Sequence, residues 1–289
     1  MNIVIFGNAM KVTTPGEVAH LLEFMQRRDV TVYLSQELRQ ELNLRNYPPF
    51  PDTDAEWKAF CDSGEYIDFA LSIGGDGTFL TTASLIGARN IPIVGVNAGH
   101  LGFLAEVQTQ NVDIILEQLV KGEYEIEQRA LLQVKAEDAH LVYPYALNEI
   151  AIMKQGLSSM ITIEAYVNGE LLHNYEADGL VIATPTGSTA YNLSLGGPLM
   201  EPHTKAIILS PIASHALTVR PLVVPDDWKI DLKVTSRNGN YLVSIDGRSQ
   251  TVTNDIALHI SKANYTIKLV QLQDHSFIQA LKDKLKWGK

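Results

Sequence analysis

The chain has 289 residues, 46% hydrophobic and 19% charged, an ordinary soluble globular balance that is long enough for two modest domains. A formal net charge of −10 argues against a nucleic-acid partner, which would need a basic face. No apolar run approaches the about 20 residues of a membrane span, the start Met1–Gly7 lacks the basic region and apolar length of a secretory signal, and a single cysteine, Cys61, excludes an intramolecular disulfide and fits a reducing cytosol.

Taken in order, Asn2–Phe6 is an apolar β-type run ending at Gly7-Asn8, and it predicts a first strand. Thr14-Pro15-Gly16 then leads into an amphipathic helix with Val18, Leu21, Leu22 and Met25 on one face. Val30–Leu34 predicts a second strand, Gln36–Leu44 a helix, and Pro48-Pro49-Phe50-Pro51 a loop. Asp68–Ile73 is the next strand, with a helical pattern opening at Thr78 and running to about Ala88. Ile91–Asn97 follows, then a segment in which Gly95, Gly99 and Gly102 imply a backbone pressed against a neighbour or ligand. His100 in that segment reads as structural more readily than as a ligand contact. Val112–Leu119 is helical, with Lys121-Gly122 as its stop. Strands alternating with helices imply a parallel sheet covered by helices. The first turn, Gly7–Met10, lacks the G-x-G-x-x-G spacing of a standard Rossmann dinucleotide grip.

Beyond about Glu125 the texture changes to short strands: Leu131–Val134, Ala151–Met153, Met160–Val167, Gly179–Thr184, Ala206–Leu209, Ile230–Thr235, Tyr241–Ile245, Ile256–Ile260 and Tyr265–Leu272. Asn168-Gly169 and Asn238-Gly239 are hairpin signals, so an antiparallel β domain is expected. The tail, His275–Trp287, has Phe277, Ile278, Leu281 and Leu285 in helical register, and Asp274 and Asp283 dilute its lysines. It is expected to pack on the body rather than on a membrane. The predicted domains are 1–125, α/β and Rossmann-like with a parallel sheet; 126–271, β-rich; and 272–289, a C-terminal segment.

Chemistry concentrates first at Gly74-Gly75-Asp76-Gly77-Thr78, where a strand turns into a helix. Glycines allow close backbone approach, and a helix N-terminus with unpaired N–H groups suits a phosphate. A carboxylate at such a place is useful when it accepts a hydroxyl proton or works beside a metal ion. A tight turn with an Asp helix cap is the plainer reading. The motif resembles the signature of a kinase superfamily that includes NAD kinases, diacylglycerol and sphingosine kinases and, in a close variant, 6-phosphofructokinases. That resemblance implies phosphorylation of an alcohol with Asp76 near the transferred group.

The second stretch, Asp178–Ser194, holds Thr184-Pro185-Thr186-Gly187-Ser188-Thr189-Ala190-Tyr191, a loop dense in hydroxyls with an aromatic surface for a base. Gly196-Gly197-Pro198 makes a further close-approach turn. With this stretch the chain resembles NAD kinases over nearly its whole length; the lipid kinases and phosphofructokinases lack it. The resemblance implies that Asn148 and Glu149 contact the dinucleotide riboses, that Asp178 binds substrate, and that Thr189, Ala190 and Tyr191 face adenine with Ser194 at the end of the run. It further implies that the Ala213 backbone lines the pocket and that Asp246-Gly247 is a hairpin near the substrate. Glu176 stands where many members carry Arg, and Arg248 where a neutral amide is common; Arg248 is the candidate to replace the missing charge. The implied activity is transfer of a phosphoryl group to the 2′-hydroxyl of the adenosine ribose of NAD, giving NADP. Gly74, Gly75, Gly77 and Thr78 would cradle the phosphates of ATP or polyphosphate, and Asp76 would take the proton. Mg²⁺ or Mn²⁺ would arrive with the nucleotide, and NAD would lie in the cleft between the domains. No His/Cys cluster has zinc spacing, so no protein-held metal is expected. The family also implies a homodimer or homotetramer. A lipid kinase and a non-catalytic dinucleotide-binding regulator are the rival classes.

Overall fold

Four apolar runs build the first sheet: Asn2–Gly7 (β1), Thr31–Leu34 (β2), Phe69–Gly74 (β3) and Ile93–Asn97 (β4). All pair in parallel, in the order β2-β1-β3-β4. Strands β3 and β4 are buried at every residue, which is why they read as continuous apolar runs rather than as alternating ones. The helices between them are Pro15–Gln26 (α1), Gln36–Glu41 (α2), Asp54–Asp62 (α3) and Asp76–Ile86 (α4). The two-residue strand Val107–Gln108 (β5) and the helix Val112–Lys121 (α5) complete the run. Leu21, Leu22 and Met25 of α1, with Ile115, Leu116 and Leu119 of α5, pack on Ile3, Ile5, Val32, Leu71, Val94 and Val96 to form one core.

In this computed structural model the described residues are 1–7, 15–97, 102–105, 107–108, 112–137, 139–156, 159–272 and 276–286. Asn8–Met10, Thr14, Gly99, His100, Asp274, His275, Trp287 and the Val18 side chain, all used in the sequence analysis, lie outside them.

The chain forms two compact units, Met1–Gln128 with Ile267–Lys289, and Arg129–Thr266. It crosses from the first to the second within the strand Tyr124–Ala136 (β6). The second unit continues with Tyr145–Ala146 (β7), Glu149–Lys154 (β8), Ile161–Val167 (β9), Glu170–Ala177 (β10) and Gly179–Ala183 (β11). A helical turn at Tyr191–Ser194 (α6) precedes Ala206–Ile212 (β12), Leu222–Pro225 (β13), Ile230–Thr235 (β14), Asn240–Ile245 (β15) and Arg248–Thr253 (β16). The chain returns to the first unit within Leu258–Leu272 (β17) and ends in the helix Phe277–Leu285 (α7), capped by the Ser276 hydroxyl.

One sheet of the second unit is antiparallel in the order β13-β12-β11-β8-β15-β16; the other layer runs β10-β9-β14-β17. Alternation assigns the faces. Ile150, Ile152, Leu180 and Ile182 face the core shared with Ile161, Ile163, Ile230, Leu232 and Ile260. Ala151, Val181, Ala183 and Ile208 face the opposite side, with Leu195 and Met200 packed over them. The segment that follows β11 therefore covers the outer face of this sheet. Asn168-Gly169 and Asp246-Gly247 both carry positive φ at both residues, the conformation that a tight hairpin's twist requires.

Three expectations change. The helix after β3 starts at Asp76, not Thr78, because Gly75 serves as its N-cap. Ile256–Ile260 and Tyr265–Leu272 are not two strands; β17 runs unbroken from Leu258 through Leu272. Helix α3 was not anticipated, although Thr53 and Glu56 form a full capping box at its start.

On the surface of the second unit, Asp231 of β14 faces His259 of β17 in register. His259 Nδ1 lies 2.7 Å from Asp231 Oδ1, and Nε2 lies 3.0 Å from Glu137 Oε1. The hydrogen bond to Asp231, joined by that to Glu137, raises the imidazole above its ordinary value of 6.5. A raised folded value means that the protonated ring stabilises the fold below the unfolded value, and that this support is lost as pH rises through the folded one. His259→Gln should therefore melt below the wild type at pH 5.5, with the gap closing by pH 9. A gap that does not change with pH would mean that the imidazolium contributes nothing.

Candidate active site

The strand-to-helix turn after β3 depends on Gly74. Its φ of +156° is paired with a Cβ position only 2.2 Å from Thr78 Oγ1, so a side chain there would displace the Thr78 hydroxyl. Gly75 caps α4 without any side chain, and Asp76 becomes the first helical residue. The Asp76 carboxylate points back from the helix to a short loop. Its Oδ2 accepts the N–H of Phe103 at 2.8 Å, and its Oδ1 accepts those of Leu104 and Ala105 at 3.0 and 3.1 Å. Two glycines make room for this. A Cβ on Gly102 would stand 1.8 Å from Asp76 Oδ1, and one on Gly95 would stand 2.1 Å from the Leu104 carbonyl oxygen. Beside α4 a cavity of about 160 Å³ is lined by Phe6, Gly7, Ser35, Glu37, Gly77, Thr78, Thr81, Thr82 and Leu85. It lies at the carboxyl ends of β1 and β2, where open α/β sheets bind ligands. Ser35, Glu37, Thr81 and Thr82 carried no motif; only their positions just after β2 and along α4 bring them to the cavity.

In the second unit a second carboxylate does similar work. Asp246, at φ +47° in its hairpin, accepts the N–H of Leu147 at 2.7 Å, of Asn148 at 2.9 Å and of Glu149 at 3.1 Å. The loop after β11 is tied to the same place: the Thr184 hydroxyl donates to the Leu147 carbonyl at 2.6 Å and accepts from Gly187 N–H at 3.0 Å. Gly187 is needed there because a Cβ would stand 2.1 Å from the Asn148 carbonyl oxygen. Inside that loop the fully buried Asn192 holds the chain together. It donates to the carbonyls of Ser188 and Pro198 and accepts the Ser210 hydroxyl at 2.7 Å. Tyr191 is more than a third exposed, the Thr189 hydroxyl donates to the Thr186 carbonyl, and the Ser194 hydroxyl donates to the Tyr191 carbonyl.

Glu149 stands out chemically. Burial, then the charge of Asp246, pushes its carboxyl from an ordinary 4.5 to about 7, with only the Tyr191 N–H pulling the other way. Its Oε2 is shielded from solvent and accepts no hydrogen bond. Burial likewise pushes Asp246 above the usual carboxylate range, against its three N–H bonds and Arg248.

The predicted residues of this unit do not gather at one point. Asn148, Glu149, Thr189, Ala190, Tyr191, Ser194 and Asp246 belong to one end of the β8–β11 ladder, where Glu149 pairs with Ala183. Asp178 and Ala213 lie at the other end, where Gly179 pairs with both Met153 and Ile212. Glu176 joins them, its backbone carbonyl accepting the His215 N–H at 2.9 Å. Four residues of strand separate the ends by about 13 Å. Lys154, which no motif marked, pairs with Asp178 there at 2.7 Å. Arg248 pairs with Ile245 at the Asp246 end, its guanidinium 4.7 Å from the centre of the Tyr143 ring. It is thus at the wrong end of the sheet to replace a charge at Glu176. Among the described residues no group of three His, Cys, Asp or Glu side chains could hold a metal ion.

A glycine turn with a carboxylate at the carboxyl edge of a parallel sheet, joined in sequence to a hydroxyl-rich loop on an antiparallel one, is the architecture of a nucleotide-handling enzyme. Residues 3–124 match the model of the ATP-NAD kinase N-terminal domain, and residues 147–272 that of the ATP-NAD kinase C-terminal domain. The NAD kinase of Bacteroides fragilis is 43% identical over 100% of this chain and 98% of its own length; that of Flavobacterium johnsoniae is 39% identical over 100% and 99%. Among solved structures, an NAD kinase from Archaeoglobus fulgidus in complex with ATP has a TM-score of 0.76 at 27% identity, covering 99% of both chains. Yeast NADH kinase complexed with NADH has the same fold, with a TM-score of 0.83 at 24% identity over 100% of this chain and 88% of its own. The chain belongs to the NAD kinase family.

The strained Glu149 carboxyl has a thermodynamic signature. With a folded value near 7 against 4.5 unfolded, the folded chain keeps the proton that the unfolded chain has lost, so stability falls as pH rises through that window. Glu149→Gln should be more stable than wild type by about 2–3 kcal/mol at pH 8, with most of the gain gone at pH 5. Urea unfolding at both pH values checks this, and equal gains at both would show that Glu149 does not titrate between them.

Proposed function

We propose that this chain transfers the terminal phosphoryl group of ATP to the 2′-hydroxyl of the adenosine ribose of NAD, giving NADP and ADP. The observation that carries the reading is Asp76, a carboxylate fixed by three amides at the head of α4, in a turn that also lines the cavity beside it. Phosphoryl transfer asks chiefly for positioning and charge stabilisation. Gly74, Gly75, Gly77 and Thr78 cradle the donor phosphates, with Thr81 and Ser35 offering hydroxyls at the cavity wall. The Asp76 carboxylate has about four acceptor positions, three of which are filled by amides, and the last orients the ribose hydroxyl and takes its proton. Asn148 and Glu149 hold ribose hydroxyls, with the unpartnered Glu149 Oε2 as the waiting acceptor. Thr189, Ala190 and Tyr191, ending at Ser194, face the adenine. Glu176, Asp178, Ala213 and Asp246 complete the dinucleotide-binding set, Asp246 by fixing the Asn148-Glu149 backbone.

A divalent cation, Mg²⁺ or Mn²⁺, supplies charge neutralisation at the phosphates. Such a cation would be held mainly by phosphate oxygens and water, with the hydroxyls of Thr78 and Thr81 as the nearby oxygen groups of the chain. The archaeal relative's complex with ATP supports ATP as donor. We place the reaction in the cytoplasm, where the free and exposed Cys61 stays reduced; no described helix is long and apolar enough to cross a membrane. A homodimer or homotetramer is the assembly that fits the family, and sedimentation of the purified chain measures it.

A coupled assay for NADP from NAD, ATP and Mg²⁺ tests the reaction. Asp76→Asn should lower turnover at least about 100-fold. NADP formed by neither protein, with ATP or with polyphosphate, would overturn the function; equal turnover by both would remove Asp76 as the acceptor. Gly102→Ala places a methyl on the Asp76 carboxylate and should lower turnover at least about 10-fold by misplacing it. Wild-type kcat in that variant would show that the seat of Asp76 is not critical.

A further inference from the structure

The loop that positions Asp76 has one more partner. Phe103, whose N–H donates to Asp76 Oδ2, presents its ring to the C-terminal helix, and the ammonium of Lys284 on α7 stands 3.8 Å from the ring centre. The Lys284 Nζ is shielded from solvent, which strengthens the attraction between a cation and an aromatic face. Gly102–Ala105 is thus held from several sides. Asp76 takes three of its amides, the Gly102 N–H donates to the Ala105 carbonyl at 3.1 Å, Gly95 admits the Leu104 carbonyl, and Lys284 covers the ring of Phe103.

We propose that Lys284 is a positioning residue for phosphoryl transfer: seated on the Phe103 ring, it latches the C-terminal helix onto the loop whose amides aim the Asp76 carboxylate. This rests on the reading of Asp76 as the catalytic carboxylate. Loss of the latch loosens Phe103 and its N–H, and with it the carboxylate oxygen bound there. Arginine in place of lysine keeps a cation that stacks on an aromatic ring, whereas methionine keeps the length and apolar contact of the stem but no charge.

Hydrogen exchange and steady-state kinetics on the full chain test the latch. Lys284→Met should raise amide exchange at Phe103, Leu104 and Ala105 and lower kcat by about 3- to 30-fold, the range set by the strength of a partly shielded cation–aromatic contact. The KM for NAD should stay near the wild-type value, and Lys284→Arg should restore both exchange protection and kcat. Protected amides with wild-type kcat in Lys284→Met would overturn the proposal. So would a loss that Lys284→Arg fails to restore, or a loss confined to KM, since either would make Lys284 a general stabiliser of α7. Activity retained by Asp76→Asn would instead defeat the reading of Asp76, while the exchange data would still report on the latch.

Discussion

A side-chain carboxylate that closes over three consecutive backbone N–H groups organises each unit of this chain. Asp76 does so for Phe103–Ala105 and Asp246 for Leu147–Glu149. Hydrogen bonds to a charged acceptor are among the stronger ones in proteins, about 1.5–3 kcal/mol each. Three of them on one carboxylate fix a loop more firmly than its own turn could. In both places the fixed loop carries or adjoins the residues proposed to meet the nucleotide. The arrangement also fits a carboxylate beside the turn proposed to hold phosphates: the amide dipoles pointed at it offset its charge locally, so phosphates there would not face it bare.

Such seats are sterically exclusive. The hydrogen bonds of Asp76 require the loop backbone to reach β4 and the head of α4 together, and the positions where it does so are glycines. At Gly95 the obstacle to a side chain is the Leu104 carbonyl, and at Gly102 it is the carboxylate itself. The same holds in the second unit, where Gly187 lies against Asn148 and Gly197 against the side chain of Asn192. Backbone strain plays little part at these four positions; the lack of a Cβ is what matters.

How much of this could be read in the sequence depended on whether the signal was local. Strands β1, β3 and β4 were legible because burial on both faces leaves an uninterrupted apolar run, and β9 because a half-buried strand alternates. The Gly-Gly-Asp-Gly turn and the Thr-Pro-Thr-Gly loop were legible because each holds its distinctive residues in close succession, the pattern that the proposed phosphate and base recognition would need. Edge strand β13 offers only three apolar residues between Pro221 and Pro225, two of them exposed, and β17 hides its continuity behind polar residues such as Lys262 and Asn264. Lys154 and Asn192 were invisible for a different reason: each acts through a partner brought near only by the folded sheet, Asp178 for the first and Ser210 for the second. The division of the candidate residues between the two ends of the β8–β11 ladder is likewise a matter of register, which no single stretch encodes.

Local rules also break at several residues of the proposed site. Ala213 and Asp246 are non-glycine residues at positive φ, a conformation worth about 1–3 kcal/mol of strain. Glu149 keeps a buried carboxyl oxygen without a donor beside a second buried carboxylate. Neither Ala213 nor Glu149 helps the fold by itself: a glycine at 213 or an amide at 149 would satisfy the local structure better. Each becomes reasonable if a ligand supplies what the chain lacks. On the proposed reading a ribose hydroxyl would give Glu149 Oε2 its missing donor, and a fixed left-handed Ala213 would present its backbone in one orientation without the freedom that glycine would bring. A pre-shaped site gains affinity by not having to order itself on binding, and the instability carried at 149 and 213 is the counterpart of that preorganisation.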